Sequence, residues 1–133
     1  MALATQQQVE ELADKITECA DSIHARLMQA IKRKEIDQSA AQSIFQDEAI
    51  LRQRANSLYL DATNCVVEGL AESQEEMLGL IDTAKEKIKT ISKIAGLIDL
   101  IADLLVLAAA AYAAKPGSIL AALKEVKADV VAL

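Results

Sequence analysis

The 133-residue chain is poor in the residues that build sheets, tight turns and catalytic centres. Its aromatics are Phe45, Tyr59 and Tyr112, with no tryptophan. Sheet proteins draw on aromatic and β-branched residues to cover a pleated surface. This chain draws instead on Ala, Leu, Ile, Glu, Gln and Lys, which lose little rotamer entropy in a helix. Four glycines and one proline, with a single Pro-Gly pair at Pro116-Gly117, supply few turns. Few turns in a chain of this length mean few, long elements.

His24 is the only histidine, and Cys19 and Cys65 are the only cysteines. A zinc site needs about four Cys or His ligands at short spacing, and this chain has neither the number nor the spacing. Asp21 three residues before His24 has the form of half a di-iron motif, but those sites need two such motifs and two further carboxylates. His24 is therefore read as a half-exposed surface residue. The isolated glycines at 69, 79, 96 and 117 form no phosphate loop. The adjacent pairs Glu10-Glu11 and Glu75-Glu76 point about 100° apart on a helix and suit first-turn positions rather than paired catalysis. No metal, no cofactor and no enzymatic activity is expected.

Basic residues are too few for nucleic acid. Fourteen Lys and Arg stand against twenty Asp and Glu, for a net charge of −6. Phosphate-backbone binding needs a clustered basic face, and strand binding needs aromatic platforms. Met1 to Thr5 carries no basic leader, and Gln6-Gln7-Gln8 stands where an apolar signal core would lie. The expected location is the cytoplasm, and signal-independent secretion would leave the same sequence.

What is abundant is apolar residue at helical spacing: 53% of the chain, above the common share of about 45–50%. One domain over residues 1–133 is expected, since two would each be too small to hold a core. The fold class is all-α, an antiparallel bundle of long amphipathic helices. A first helix is predicted over about 6–35, opened by Thr5 with Gln8 as a capping box. Its apolar stripe runs through Val9, Leu12, Ile16, Cys19, Ile23 and Leu27. A second is predicted over about 38–69, capped by Asp37 and ended at Gly69. A third should start at Ser73 and run to about 114, with Gly96 as a kink site and Gly79 as a point of close helix packing. At 1.5 Å per residue it would reach roughly 60 Å and overhang the others. Lys115-Pro116-Gly117 ends it, and Ser118 caps a fourth helix over about 119–131.

The short link at Ile36-Asp37 makes the first two helices antiparallel, with facing residue numbers summing to about 73. That register pairs Asp21 with Arg52, Glu18 with Arg54, and Arg26 with Glu48. All three pairs are opposite in sign. The same register sets Cys19 and Cys65 roughly 16 Å apart, too far for a disulfide.

The most unusual segment is 94–114, IAGLIDLIADLLVLAAAAYAA, in which Asp99 and Asp103 are the only charges. With the last helix it forms an apolar helix-turn-helix over 94–133. Three readings fit: a buried core helix, an oligomer seam that covers the overhang, or membrane contact. A permanent single span is disfavoured, because each buried Asp costs about 2.5–3.5 kcal/mol. The expected function is a non-catalytic interaction or assembly module. Its contact residues would be Leu97, Ile98, Ile101, Leu104, Leu105 and Leu107, with Tyr112, Leu120 and Leu123. The expected partner is a second copy of the chain or another protein. The alternative is a membrane-active protein, surface-binding or pore-forming-like, that uses 94–133 as a hydrophobic hairpin.

Overall fold

A computed structural model describes residues 1–133 as five α-helices with no strand: α1 (Gln6–Lys32), α2 (Gln38–Leu60), α3 (Gln74–Thr90), α4 (Ile94–Tyr112) and α5 (Pro116–Ala132), with a short 3-10 turn at Ala62–Cys65. The fold is an all-α bundle. Side-chain caps open the first three helices. Thr5 Oγ1 accepts from the Gln8 amide at 3.2 Å, Asp37 Oδ1 from Ala40 at 2.8 Å, and Ser73 Oγ from Glu76 at 3.3 Å. Each satisfies an amide the helix itself leaves free.

The stripe of α1 is buried against α2 on one side and α3 on the other. α4 packs on α2 and α5, and α5 returns to touch α3. One continuous core of 36 buried residues draws on all five helices. Each large side chain in it contributes about 1.5–3 kcal/mol by leaving water.

The long third helix does not exist as expected. The helix breaks at Ile91-Ser92-Lys93, where Ile91 and Lys93 are extended with ψ near 129° and 128°. Two β-branched residues and a serine, Thr90-Ile91-Ser92, make the site locally unfavourable for helix. Arg26 compensates for the break, its Nε donating to the Ile91 carbonyl at 2.9 Å. Gly96 lies in the first turn of α4 instead of at a kink. A Cβ there would come within 2.9 Å of both Ile91 Cδ1 and Leu133 Cδ2, so its role is close approach. With the break, no long rod overhangs the bundle, and the premise for a seam at that overhang falls away. Gly79 has open space where a Cβ would sit, so it mediates no close packing.

Other boundaries shift as well. α1 ends at Lys32 rather than 35, and Lys34 takes a left-handed φ of 58° in the turn. α2 ends at Leu60 rather than 69. Val66 turns extended, and Gly69 (φ 74°) serves a loop instead of closing a helix. That loop is latched by the N-terminus: the Ala2 amide donates to the Glu72 carbonyl at 2.7 Å, and the Val67 amide to the Leu3 carbonyl at 2.8 Å. Ala2 and Leu3 are buried beneath it. α5 starts at Pro116, two residues before the expected Ser118 cap, because proline is tolerated at a first helical position.

Candidate functional site

The hairpin between α1 and α2 carries a polar cluster in its core. Glu48 is only 5% exposed. Its carboxylate meets His24 Nδ1 at 2.9 Å and accepts from Arg52 Nε at 2.9 Å, one turn along α2. Arg52 Nη1 reaches across to Asp21 at 2.8 Å. The Asp21 hydrogen bond, followed by those to Glu48, holds the Arg52 guanidinium above its ordinary pKa. The structure thus brings Asp21 and Arg52 together, but not the other two expected pairs. Arg26, 4% exposed, turns away from Glu48 to bond Glu35 Oε2 at 2.9 Å and the Ile91 carbonyl. Glu18 meets Lys85 of α3 at 2.7 Å. Arg54 Nη1 donates to the Leu105 carbonyl of α4 at 3.0 Å. The reason is common to these residues: α1 and α2 are not an isolated hairpin, and α3, α4 and the 91–93 break offer other partners, a donor for Glu18 and acceptors for Arg26 and Arg54. His24 is half-exposed, as expected, but is engaged with Glu48.

The two thiols are free and buried. Cys19 Sγ lies 3.7 Å from the Ile81 carbonyl, and burial pushes its pKa up to about 12. Cys65 lies 3.5 Å from the Tyr112 carbonyl, and burial raises it too. Neither has the depressed pKa of a nucleophile.

Five of the nine expected contact residues are not at the surface. Leu97, Ile101, Leu104 and Leu107 of α4 and Leu123 of α5 are core residues facing α2, α5 and the rest of the bundle. Leu105 and Leu120 are half-buried, and Ile98 and Tyr112 are exposed. Apart from Asp99, which borders it, the exposed residues of α4 nevertheless form one face. Ile98, Ala102, Val106, Ala109, Tyr112 and Ala113 recur at three- and four-residue spacing, with half-buried Leu105 among them. They fall within about 120° of arc on a helix of 3.6 residues per turn. Val106, at 58% exposed, is the most accessible of its large side chains. No charge interrupts this face. Val106, Ala102, Ala109 and Ala113 were not expected, because the segment reads as apolar everywhere except the edge of Asp99 and Asp103. The separation of inside from outside follows from which neighbours α2 and α5 supply.

The borders of the face are polar and fixed. On the α2 side Arg54 is pinned to the Leu105 carbonyl, and Tyr112 donates its hydroxyl to Asp61 Oδ2 at 2.6 Å. That hydrogen bond raises the Tyr112 pKa. On the α5 side stands an acidic group of Asp99, Asp103, Glu125 and Asp129. Burial, then the neighbouring Asp129, Glu125 and Asp99, raise Asp103 to about 7. One Asp103 oxygen is enclosed without a donor, a position that suits a protonated carboxyl better than a second negative charge.

Compared with protein-family models, curated proteins and solved structures, the chain matches none.

Proposed function

We propose that this protein is a non-catalytic helical interaction module that docks through the exposed face of α4. The single observation that carries this reading is the uncharged stripe of six exposed residues between Ile98 and Ala113, bordered by Asp99, in a chain with 34 charged side chains among Lys, Arg, Asp and Glu (14 and 20). Surface helices of soluble proteins ordinarily turn charged residues outward, and an uncharged exposed face marks a contact surface. Alanines at 102, 109 and 113 leave room for another helix to approach closely, while Ile98, Val106 and Tyr112 supply apolar area. The partner is a second copy of the chain, packed face to face about a two-fold axis, or a helix of another protein. The cytoplasm is the proposed location.

Sedimentation velocity tests this on the whole chain. The wild type should self-associate, and Val106→Glu should be monomeric with an unchanged melting temperature, because position 106 makes no core contact. A wild type that stays monomeric at its highest soluble concentration, with no loss of any partner on Val106→Glu, would sink the reading.

One observation favours a membrane as the second reading. α4 is long and apolar enough to span a bilayer, with mean hydropathy 2.2 over its best 18 residues, of which 44% are buried in the bundle. Vesicle flotation at pH 7 and pH 5 separates the two. Protonation of Asp103 lowers the cost of insertion, so flotation at pH 5 alone would favour the bilayer.

A further inference from the structure

Separately from the α4 face, we propose that the corner between α3 and α4 is a phosphate-binding site, held by Arg26, Arg33, Lys93 and the first amides of α4. The chain bends there around a cleft of about 670 Å³ lined by Arg26, Arg33, Lys89 and Lys93, with Glu35 as its one carboxylate. Four cations face one anion in a molecule whose net charge is −6.

Three observations give the cleft its chemistry. First, α4 has no side-chain cap. Its backbone hydrogen bonding starts with the Gly96 and Leu97 amides on the Lys93 carbonyl, which leaves the Ile94 and Ala95 amides without an acceptor. Free amides at the positive end of a 19-residue helix attract an anion. Second, Arg26 is 4% exposed and lines the cleft, yet its Nη1 has no hydrogen-bond partner. Its Nε is used by the Ile91 carbonyl and its Nη2 by Glu35. A buried guanidinium nitrogen without an acceptor is costly, and an incoming oxygen would relieve it. Third, Glu35 cannot neutralise the cleft. It is already bonded to Arg26 Nη2 and lies 3.9 Å from Arg33 Nη1, while Lys93 has no carboxylate within ion-pair distance. Lys89 is shared with Glu86 at 3.3 Å and plays a lesser part.

The donors come from the end of α1, from the 91–93 bend and from the start of α4. A carboxylate has only two oxygens to share among them. A tetrahedral dianion with several oxygens uses them together, and arginine and helix amides are suited to that geometry. The ligand is therefore a phosphate group, either free or as a soluble monoester, or the monoester headgroup of a lipid.

The experiment is an amide NMR titration of the whole chain with sodium phosphate at pH 7.5, against sodium chloride at matched ionic strength. Saturable shifts of the Ile94 and Ala95 amides with phosphate only are expected. Arg33→Glu and Lys93→Glu should each weaken binding at least about tenfold without changing the phosphate-free melting temperature. Arg26 supports the fold, so these two surface variants carry the test. Non-saturating shifts that chloride reproduces, or unchanged binding in both variants, would overturn the proposal. A second arm uses phosphatidylcholine vesicles with and without phosphatidate. Flotation that needs phosphatidate and Lys93 assigns the lipid headgroup; phosphate binding without flotation assigns a soluble ligand. Neither arm depends on the α4 face, so Val106→Glu should bind phosphate as the wild type does.

Discussion

Arg26 and Ile91 lie 65 residues apart in the chain and are joined by a 2.9 Å hydrogen bond from Nε to a carbonyl oxygen. This contact stands where an unbroken helix would have satisfied the carbonyl internally. It lets α3 end and α4 leave in a new direction, toward α2 and α5. Arg26→Met keeps volume and removes the donors, leaving the Ile91 carbonyl and Glu35 without their partner. A loss of about 3 kcal/mol is expected, measured by urea denaturation. A loss below about 1 kcal/mol, the scale of an exposed pair, would show that the bend holds without this arginine.

Glu48 makes the second prediction. It is buried and bonded to His24 and Arg52. Glu48→Lys places a cation between two bases and should cost about 3–5 kcal/mol, as breaking a buried pair does. Adding Arg52→Glu should recover part of that loss, whereas adding Arg26→Glu should not. A double-mutant cycle reads the difference directly. Coupling of Glu48 to Arg26 instead of Arg52 would contradict the arrangement seen in the bundle.

Much of this architecture was legible in the sequence, and the misses share one cause. The caps at Thr5, Asp37 and Ser73 and the stripe of α1 are local signals, set by a hydroxyl or carboxylate at a helix start and by 3.6-residue periodicity. The break at Ile91 has a weak local signal in Thr90-Ile91-Ser92, but Arg26, which bonds the freed carbonyl, lies outside any window around residue 91. Glu18 and Arg54 have two or more oppositely charged or polar neighbours within reach, and only the tertiary arrangement selects Lys85 for one and the Leu105 carbonyl for the other. α4 carries the same ambiguity in hydrophobic form. Away from the edge that carries Asp99 and Asp103, its residues are apolar, so its inner face, Leu97 to Leu107, could not be told from its outer face, Ile98 to Ala113. The acceptor-free amides at its start and the unpaired Arg26 Nη1 lie even further from any local pattern.

The cysteines give a third prediction. The separation of roughly 16 Å expected from the register rests on Cys65 lying in the second helix, whereas it lies in the 3-10 turn after α2; both thiols are free, and each is buried against a different carbonyl. Cys19, pushed up to about 12, has almost no thiolate at mildly alkaline pH and should resist alkylation in the native state. Both thiols should be labelled in denaturant without any reductant. Mass spectrometry that finds an intrachain disulfide, or rapid native labelling of Cys19, would contradict this.

Gly79 lies inside α3, exposed, with nothing near the place a Cβ would occupy. Nothing in the packing requires glycine. Gly79→Ala should stabilise the protein by about 0.5–1 kcal/mol through helix propensity and a less free unfolded chain. A thermal melt suffices to check it. A destabilised variant would mean that this side of α3 meets something in solution, and would redirect attention from α4 to α3.

Asp103 should give the molecule an unusual pH dependence. Its carboxyl titrates at about 7 in the fold, against the ordinary aspartate value of 3.8 once the chain unfolds. Between those values the folded state holds a proton that the unfolded state has released. Stability linked to Asp103 is therefore present below about pH 4 and is lost as pH rises to about 7. This is opposite to the usual carboxylate, whose pairing is lost on acidification. Asp103 is only partly buried, so the effect is discounted for solvent screening to about 1 kcal/mol. Asp103→Asn mimics the protonated form and keeps a donor for Asp129. It should be more stable than the wild type at about pH 8 and indistinguishable from it near about pH 4. The difference between the two urea midpoints, followed across pH, isolates this group from Asp99, Glu125 and Asp129, which are present in both proteins. A difference that does not change with pH would place the buried proton elsewhere in the acidic group.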